Sequence, residues 1–442
     1  MTILIRNALY VSSERVQKGD VFIQDGVIKE IGPALNVEAD EVIDAEGLHL
    51  LPGVIDAHVH FREPGMEWKE NLESGSKAAA AGGVTTILDM PNTIPLTIDQ
   101  GSLEDKKRRA LMKSLVNFNF YIGATHENLE ELSLVKNICG IKIFMGSSTG
   151  SLLVDQPHDL EKIFAQGNKL IAVHAEKQEI IEKSKQELGS SQLQPEDHMR
   201  LRPPLAALEA IKMAVALAKK YQRRLHILHV TSKEEVEYLE EHKQEGLITA
   251  EVTPQHMFLF GPEVYREHGV FAQVNPPIRE REHAEALWRG LKSGVIDFVA
   301  TDHAPHTLEE KQQEFGKAPS GMPGIETLLP LFLDKVNKGA CTLSEVVKWL
   351  CEKPALSFGM QNKGFIRQGY DADLVLVDMN TTRVVVNEAL HTLCQWSLFN
   401  GWHLKGVPVV TLVNGRIIYR DGAFLNGARG KEVIISPPWE KD

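Results

Sequence analysis

Between residues 53 and 362 short apolar runs alternate with longer amphipathic segments, and no other feature limits the fold as strongly. The runs are Val54 to His60, Thr85 to Met90, Phe118 to Ala124, Ile141 to Met145, Leu170 to His174, Leu225 to Val230, Ile248 to Val252 and Asp297 to Thr301. Helical periodicity lies between them, at Gly75 to Ala81, Pro204 to Tyr221, Ser232 to Lys243 and His283 to Lys292. Such alternation predicts βα units on a parallel sheet. Eight strands close a (β/α)8 TIM-type barrel, and roughly 300 residues suit one with insertions.

The two ends of the chain differ from this middle. Ile3 to Val11, Val21 to Gln24, Val27 to Ile31 and Glu41 to Ile43 read as short strands, with turns at Asp25-Gly26 and Glu46-Gly47. Asp373 to Asp378, Val409 to Val413 and Arg416 to Tyr419, around an Asn414-Gly415 turn, have the same character. Each end is too small for a good core of its own. The division expected is therefore a catalytic barrel over 53–362 and a small composite β-sandwich domain built from 1–52 and 363–442.

Composition narrows the partners. With 43% hydrophobic and 24% charged residues the chain is not predominantly disordered. Its 48 basic and 60 acidic residues give a net charge of −12, which argues against a surface made for nucleic acid or an anionic membrane. A small anion would need a local site. The four cysteines, Cys139, Cys341, Cys351 and Cys394, are too few and too scattered for a disulfide framework. No signal-like start and no run of about 18 apolar residues is present, so a soluble cytoplasmic protein is expected.

In such a barrel the chemistry sits where the strands end. The first strand ends in His58-Val-His60, and side-chain alternation puts both imidazoles on one side, towards the barrel axis. His174 ends the fifth strand, His229 the sixth and Asp302 the eighth. Taken singly, each is more readily a hydrogen-bonded core residue or a helix cap. Together, four imidazoles and a carboxylate at one barrel end form a ligand set for zinc and related divalent metals. Lys142 lies inside the apolar run Gly140-Ile-Lys-Ile-Phe-Met-Gly146, where an inward ammonium carries a large desolvation cost. Addition of CO2 to its amine would make a long carbamate able to bridge two cations. The plain alternative is an outward lysine that snorkels; beside five candidate ligands the inward reading prevails.

Longer motifs bear on the same ends: Pro52-Gly-Val-Ile-Asp-Ala-His-Val-His60, His58-Val-His-Phe-Arg-Glu-Pro-Gly65, Met90-Pro-Asn-Thr93, Val274-Asn-Pro-Pro-Ile-Arg279, Asp302-His-Ala-Pro-His306 and Gly369-Tyr-Asp-Ala-Asp-Leu374. With these the chain resembles, over nearly its whole length, the amidohydrolase superfamily and within it the dihydroorotase branch that carries a carboxylated lysine. The resemblance implies reversible hydrolysis of the cyclic amide of (S)-dihydroorotate to N-carbamoyl-L-aspartate, a step of pyrimidine biosynthesis, by a metal-bridged hydroxide. It implies that His58 and His60 hold one divalent metal and His174 and His229 a second, zinc being the first choice. Lys142 would be the carbamate bridge, and Asp302 a ligand and the general base and acid. Arg62, Asn92, Asn275 and His306, with His60, match positions that bind the substrate, and Ser320 and Gly321 match a loop whose backbone nears the ring. Gln255 departs from the family pattern, where a histidine pair is commoner, without touching a proposed ligand.

Several plain readings stand beside these. Asn92 and Asn275 each neighbour a proline, so a turn-forming role is as good on sequence alone. Gly146-Ser-Ser-Thr-Gly150 reads as a strand-to-helix connection, with a mobile lid over Ser147 to Thr149 as the alternative. An allantoinase or a hydantoinase/dihydropyrimidinase would share the metal ligands, and Arg62 discriminates, since a carboxylated ring needs a cation there. A non-catalytic scaffold protein would have no need of Lys142 in an apolar strand. The expected partner is a small-molecule substrate, with a homodimer as the expected assembly.

Overall fold

The computed structural model describes residues 1–147, 152–189, 193–425, 427 and 429–436. Five strands come first: β1 (Thr2–Val11), β2 (Val16–Gln24), β3 (Val27–Gly32), β4 (Glu41–Asp44) and β5 (His49–Pro52). Eight parallel strands follow: β6 (Val54–Val59), β7 (Val84–Asp89), β8 (Asn117–Gly123), β9 (Gly140–Phe144), β10 (Ile171–His174), β11 (Leu225–Ile227), β12 (Ile248–Val252) and β13 (Phe298–Val299). The last strands are β14 (Leu374–Val384), β15 (His403–Val413), β16 (Arg416–Arg420) and β17 (Ala423–Phe424). All eight expected barrel strands are present in sequential order. Nearly every residue in them is buried, as in a parallel sheet covered on both faces.

The barrel closes through side chains as much as through backbone. His60 N–H donates to His303 O at 2.8 Å, and Asp56 Oδ1 accepts from Thr301 N–H at 3.0 Å, joining the first strand to the last. One face of the strands packs against the helices; Ile141, Ile143, Ile171 and Val173 belong to that large outer core. Leu88, Tyr121, Ala172, Phe298 and Ala300 form the inner cluster. At the opposite end from the candidate ligands, Val433 N–H donates to Phe118 O at 2.8 Å and the Val433 side chain joins the inner cluster.

The two ends of the chain meet as expected, in one nine-stranded sheet of order β17-β16-β15-β14-β5-β1-β2-β3 with β4 beside β1. Ile3, Ile5, Val21, Ile23 and Ile28 from the N-terminal strands share a core with Leu374, Leu376, Val410, Leu412 and Ile417 from the C-terminal ones. Neither half could bury that apolar face alone. The possible lid at Ser147 to Thr149 falls largely outside the described residues. Among the described residues no helix is long and apolar enough to cross a membrane.

One buried ion pair fixes the barrel mouth. Lys106 Nζ lies 2.7 Å from Asp89 Oδ2, both side chains fully buried, and donates to Met90 O at 2.6 Å; Asp89 Oδ1 accepts from Phe61 N–H at 2.8 Å. The pair thus ties the segment carrying His60 to the one carrying Asn92. Removing one partner leaves the other charge stranded, so Lys106→Met should lower unfolding free energy in urea by about 3–5 kcal/mol. A loss below about 1 kcal/mol, the value of an exposed pair, would contradict this account.

Candidate metal and substrate site

Strand alternation alone would turn the first two histidines the wrong way. Ile55 and Ala57 belong to the inner cluster, which by strict period two would send His58 and His60 outward. A register shift between Asp56 and Val59 against β7 resets the phase, and both rings face the axis. His226 and Leu228 likewise lie inward, yet His229 joins the site because its backbone takes φ 37. Asp302 and Arg62 also have positive φ, 49 and 64. Such backbone costs about 1–3 kcal/mol per residue and persists where surrounding contacts impose it, commonly at functional sites.

The result is a tight cluster. Asp302 Oδ1 is 3.2 Å from His58 Nε2 and 3.1 Å from His60 Nε2, and His174 Nδ1 is 2.9 Å from His229 Nε2. The His58 and His229 rings lie 5.4 Å apart between centroids. One ligand atom each from His58, His229 and Asp302 falls within 4.8 Å of the others, a candidate metal site. Lys142 is 1% exposed, pairs in register with inward-facing Ala172, and sets its Nζ 4.5 Å from the Phe144 ring centre. No carboxylate among the described residues lies within ion-pair distance of it. Burial pushes the Lys142 ammonium down to about 7.

Outer partners decide which nitrogen each histidine offers. His58 Nδ1–H donates to Glu251 Oε1 at 2.6 Å, His60 Nδ1–H to Asn92 Oδ1 at 2.7 Å, and His174 Nε2–H to Glu176 Oε2 at 3.0 Å. The inner nitrogens of His58 and His60 are therefore lone pairs facing the acceptor Asp302 Oδ1, and that of His174 is a lone pair facing His229. Burial also holds all four imidazoles below their ordinary value, in the neutral form that binds metal. Acceptors crowded at 3.1–3.2 Å call for a cation. Ligand atoms about 2.0–2.1 Å from one tetrahedral ion would sit about 3.3 Å apart, so the donor set fits divalent metal.

Sequence reading had not singled out Glu251 and Glu176. Glu251, fully buried, bridges His58 and His226, to whose Nε2 it lies at 3.0 Å; Glu176 also pairs with Arg202 Nη2 at 2.5 Å. The signal was available: Glu251 is a lone carboxylate in the apolar run Ile248-Thr-Ala-Glu-Val252, as Lys142 is a lone amine in its own. Asn92, expected at the substrate, at the least orients His60.

The remaining expected residues lie around the mouth. Arg62, 3% exposed, donates from Nε to Pro305 O at 3.1 Å, with Nη2 3.2 Å from His306 Nε2. Ser320 O lies 3.0 Å from the same His306 nitrogen, and Gly321 takes φ 138 while its N–H donates to Gln273 O at 3.0 Å. Asn275 and Ser320 line a cavity of about 1,030 Å³ that His198 and Arg202 also border. Asn275 Oδ1 is buried without a hydrogen-bond partner. His198 and His256 brace this segment through Val274 O and Pro276 O at 2.8 and 2.9 Å, and Gln255 Nε2–H donates to Thr301 O at 3.0 Å.

Known proteins agree with this architecture. The chain is 37% identical to a dihydroorotase of Methanosarcina acetivorans over 96% of its length and 95% of that protein's. It is 35% identical to a dihydroorotase of Bacillus cytotoxicus over 96% of this chain and 100% of that one. Among solved structures it resembles an L-hydantoinase (dihydropyrimidinase) from Arthrobacter aurescens with a TM-score of 0.94 at 32% identity, covering 98% of this chain and 99% of that one. Residues 49–418 match the amidohydrolase family, and the chain belongs to that family.

Proposed function

We propose that this protein is a dihydroorotase, interconverting (S)-dihydroorotate and N-carbamoyl-L-aspartate as a step of pyrimidine biosynthesis. The observation that carries the reading is buried Arg62 beside the His58/His60/Asp302 cluster, a cation where a carboxylated ring needs one. The proposed ligands are His58, His60 and Asp302 for one divalent ion, and His174 and His229 for a second, with Lys142 as a CO2-derived carbamate between them. Zinc is the first choice of metal. Bound there, the ions would supply Lewis-acid activation of water and of the amide carbonyl.

The chain's own residues do the rest. Asp302 Oδ1 points at the lone pairs of His58 and His60, the side on which a cation would be held, which leaves Oδ2 to take the proton of the attacking water and return it to the departing ring nitrogen. Ring closure is the reverse. Arg62 and His306 hold the carboxylate, while the unpaired Asn275 Oδ1 suits a ring N–H. The Ser320-Gly321 backbone borders the ring. A catalytic barrel over 53–362 and a β domain from 1–52 and 363–442 complete the proposal, with a cytoplasmic homodimer as the expected form.

Turnover of dihydroorotate, allantoin, hydantoin and dihydrouracil, measured side by side, tests the assignment. Dihydroorotate should be strongly preferred; the hydantoinase-like neighbours make preference for hydantoin or dihydrouracil the outcome that would replace it. Arg62→Met should cost roughly 10²- to 10³-fold in kcat/KM for dihydroorotate, as expected when a buried charged contact is lost, with metal content unchanged. An unaltered kcat/KM would remove Arg62 from carboxylate binding.

A further inference from the structure

Lys69 belongs to the Glu63-Pro-Gly-Met-Glu-Trp-Lys69 loop and has no part in the chemistry described so far. Its Nζ lies 3.2 Å from His306 Nδ1 and 2.8 Å from Glu310 Oε1. An ammonium only donates, so His306 Nδ1 must accept. The other candidate partner of that nitrogen, Glu310 Oε2, is 3.6 Å away, beyond hydrogen-bond reach, and accepts instead from Thr307 N–H at 3.1 Å. The proton of His306 is then on Nε2, where Ser320 O accepts it at 3.0 Å.

That tautomer has a consequence on the Arg62 side. Arg62 Nη2 is 3.2 Å from His306 Nε2, and a guanidinium cannot accept. Two donors therefore meet there: Ser320 O takes the one Nε2 proton, Arg62 Nη2 finds no acceptor on the ring, and an anionic oxygen entering beside them is drawn by both. In the opposite tautomer Nε2 would accept from Arg62, and the pair would satisfy itself with nothing bound. Burial holds His306 down to about 3, with Arg62, Lys69 and Lys311 adding to that effect and Glu310 opposing it, so the ring stays neutral and only the tautomer is at issue.

We propose that Lys69 is a positioning residue which locks His306 in the Nε2–H tautomer and so keeps the Arg62–His306 pair open as a seat for the substrate carboxylate. This rests on the dihydroorotase reading for the identity of the anion, but not for the tautomer. In ¹⁵N-histidine spectra of the metal-loaded enzyme, the His306 signal, identified by its loss in His306→Gln, should show an unprotonated Nδ1. In Lys69→Met the proton should move to Nδ1, facing a Glu310 freed of its lysine.

In kinetics, Lys69→Met should raise KM for dihydroorotate roughly ten- to hundredfold, the equivalent of one hydrogen bond to a charged group, and leave kcat within about threefold. Lys69→Arg, which can still donate to Nδ1 and pair with Glu310, should restore most of the affinity. A wild-type His306 protonated on Nδ1, or an unchanged KM in Lys69→Met, would overturn the proposal. Failure of wild-type enzyme to process dihydroorotate would overturn the substrate reading instead, and the spectra would still decide the tautomer.

Discussion

Asp302→Asn should lower kcat for dihydroorotate by roughly 10²- to 10⁴-fold, the range for removing a positioned general acid or base, with KM little changed. The substitution is close to isosteric, and the amide oxygen can still face His58 Nε2 and His60 Nε2 as Oδ1 does at 3.2 and 3.1 Å. What is lost is a group able to take a proton on its second oxygen and release it again. Asparagine tolerates left-handed backbone, so the φ of 49 at this position adds no new strain and the loss should lie in rate rather than in folding. Metal content measured on the same preparation separates the two duties of Asp302. Full metal with a collapsed kcat assigns the proton; depleted metal assigns coordination; a rate within about fivefold of wild type, with full metal, would move the proton transfer to another group.

How much of this site could be read from the sequence follows from which forces act locally. The barrel was legible because eight apolar runs between amphipathic helices leave few other ways to bury both faces of each strand. The cluster was legible because His174, His229 and Asp302 end those runs. Their directions were not. His58 and His60 reach the axis through a bulge at Asp56 to Val59, and His229 through a φ of 37; both are imposed by tertiary packing and leave no mark in residue type. The outer partners were half legible. A carboxylate in an apolar strand, such as Glu251, carries the same desolvation argument that singled out Lys142, whereas the Asn92 contact to His60 joins two loops and depends on their approach. Lys69 was out of reach for a similar reason, since its partners His306 and Glu310 lie over two hundred positions away.

Lys142 offers the most discriminating test of the proposed metal site, because two accounts of it predict opposite rescue. It is fully enclosed in β9, on the inward face and among four neutral imidazoles, with no carboxylate in ion-pair range among the described residues. If its amine worked as an ammonium, it would be a cation placed beside a cation site, and its removal should help metal to bind. If it works as a carbamate, it is an anion of the length needed to bridge, and its removal should open both metal sites. Lys142→Ala should therefore lose most bound metal and at least roughly 10²-fold in activity, more than is typical for an outer partner of a ligand. Short carboxylates such as acetate or propionate, entering the vacated space with divalent metal, should recover part of that activity, and short alkylamines should not. Recovery with amines alone, or full metal content in Lys142→Ala, would discard the carbamate. ¹³CO2 labelling of the wild type gives an independent reading, with a carbamate carbon signal expected only when Lys142 is present. Taken with Asp302→Asn, the two variants separate the group that holds the cations from the group that moves the proton, a division the ligand distances alone leave open.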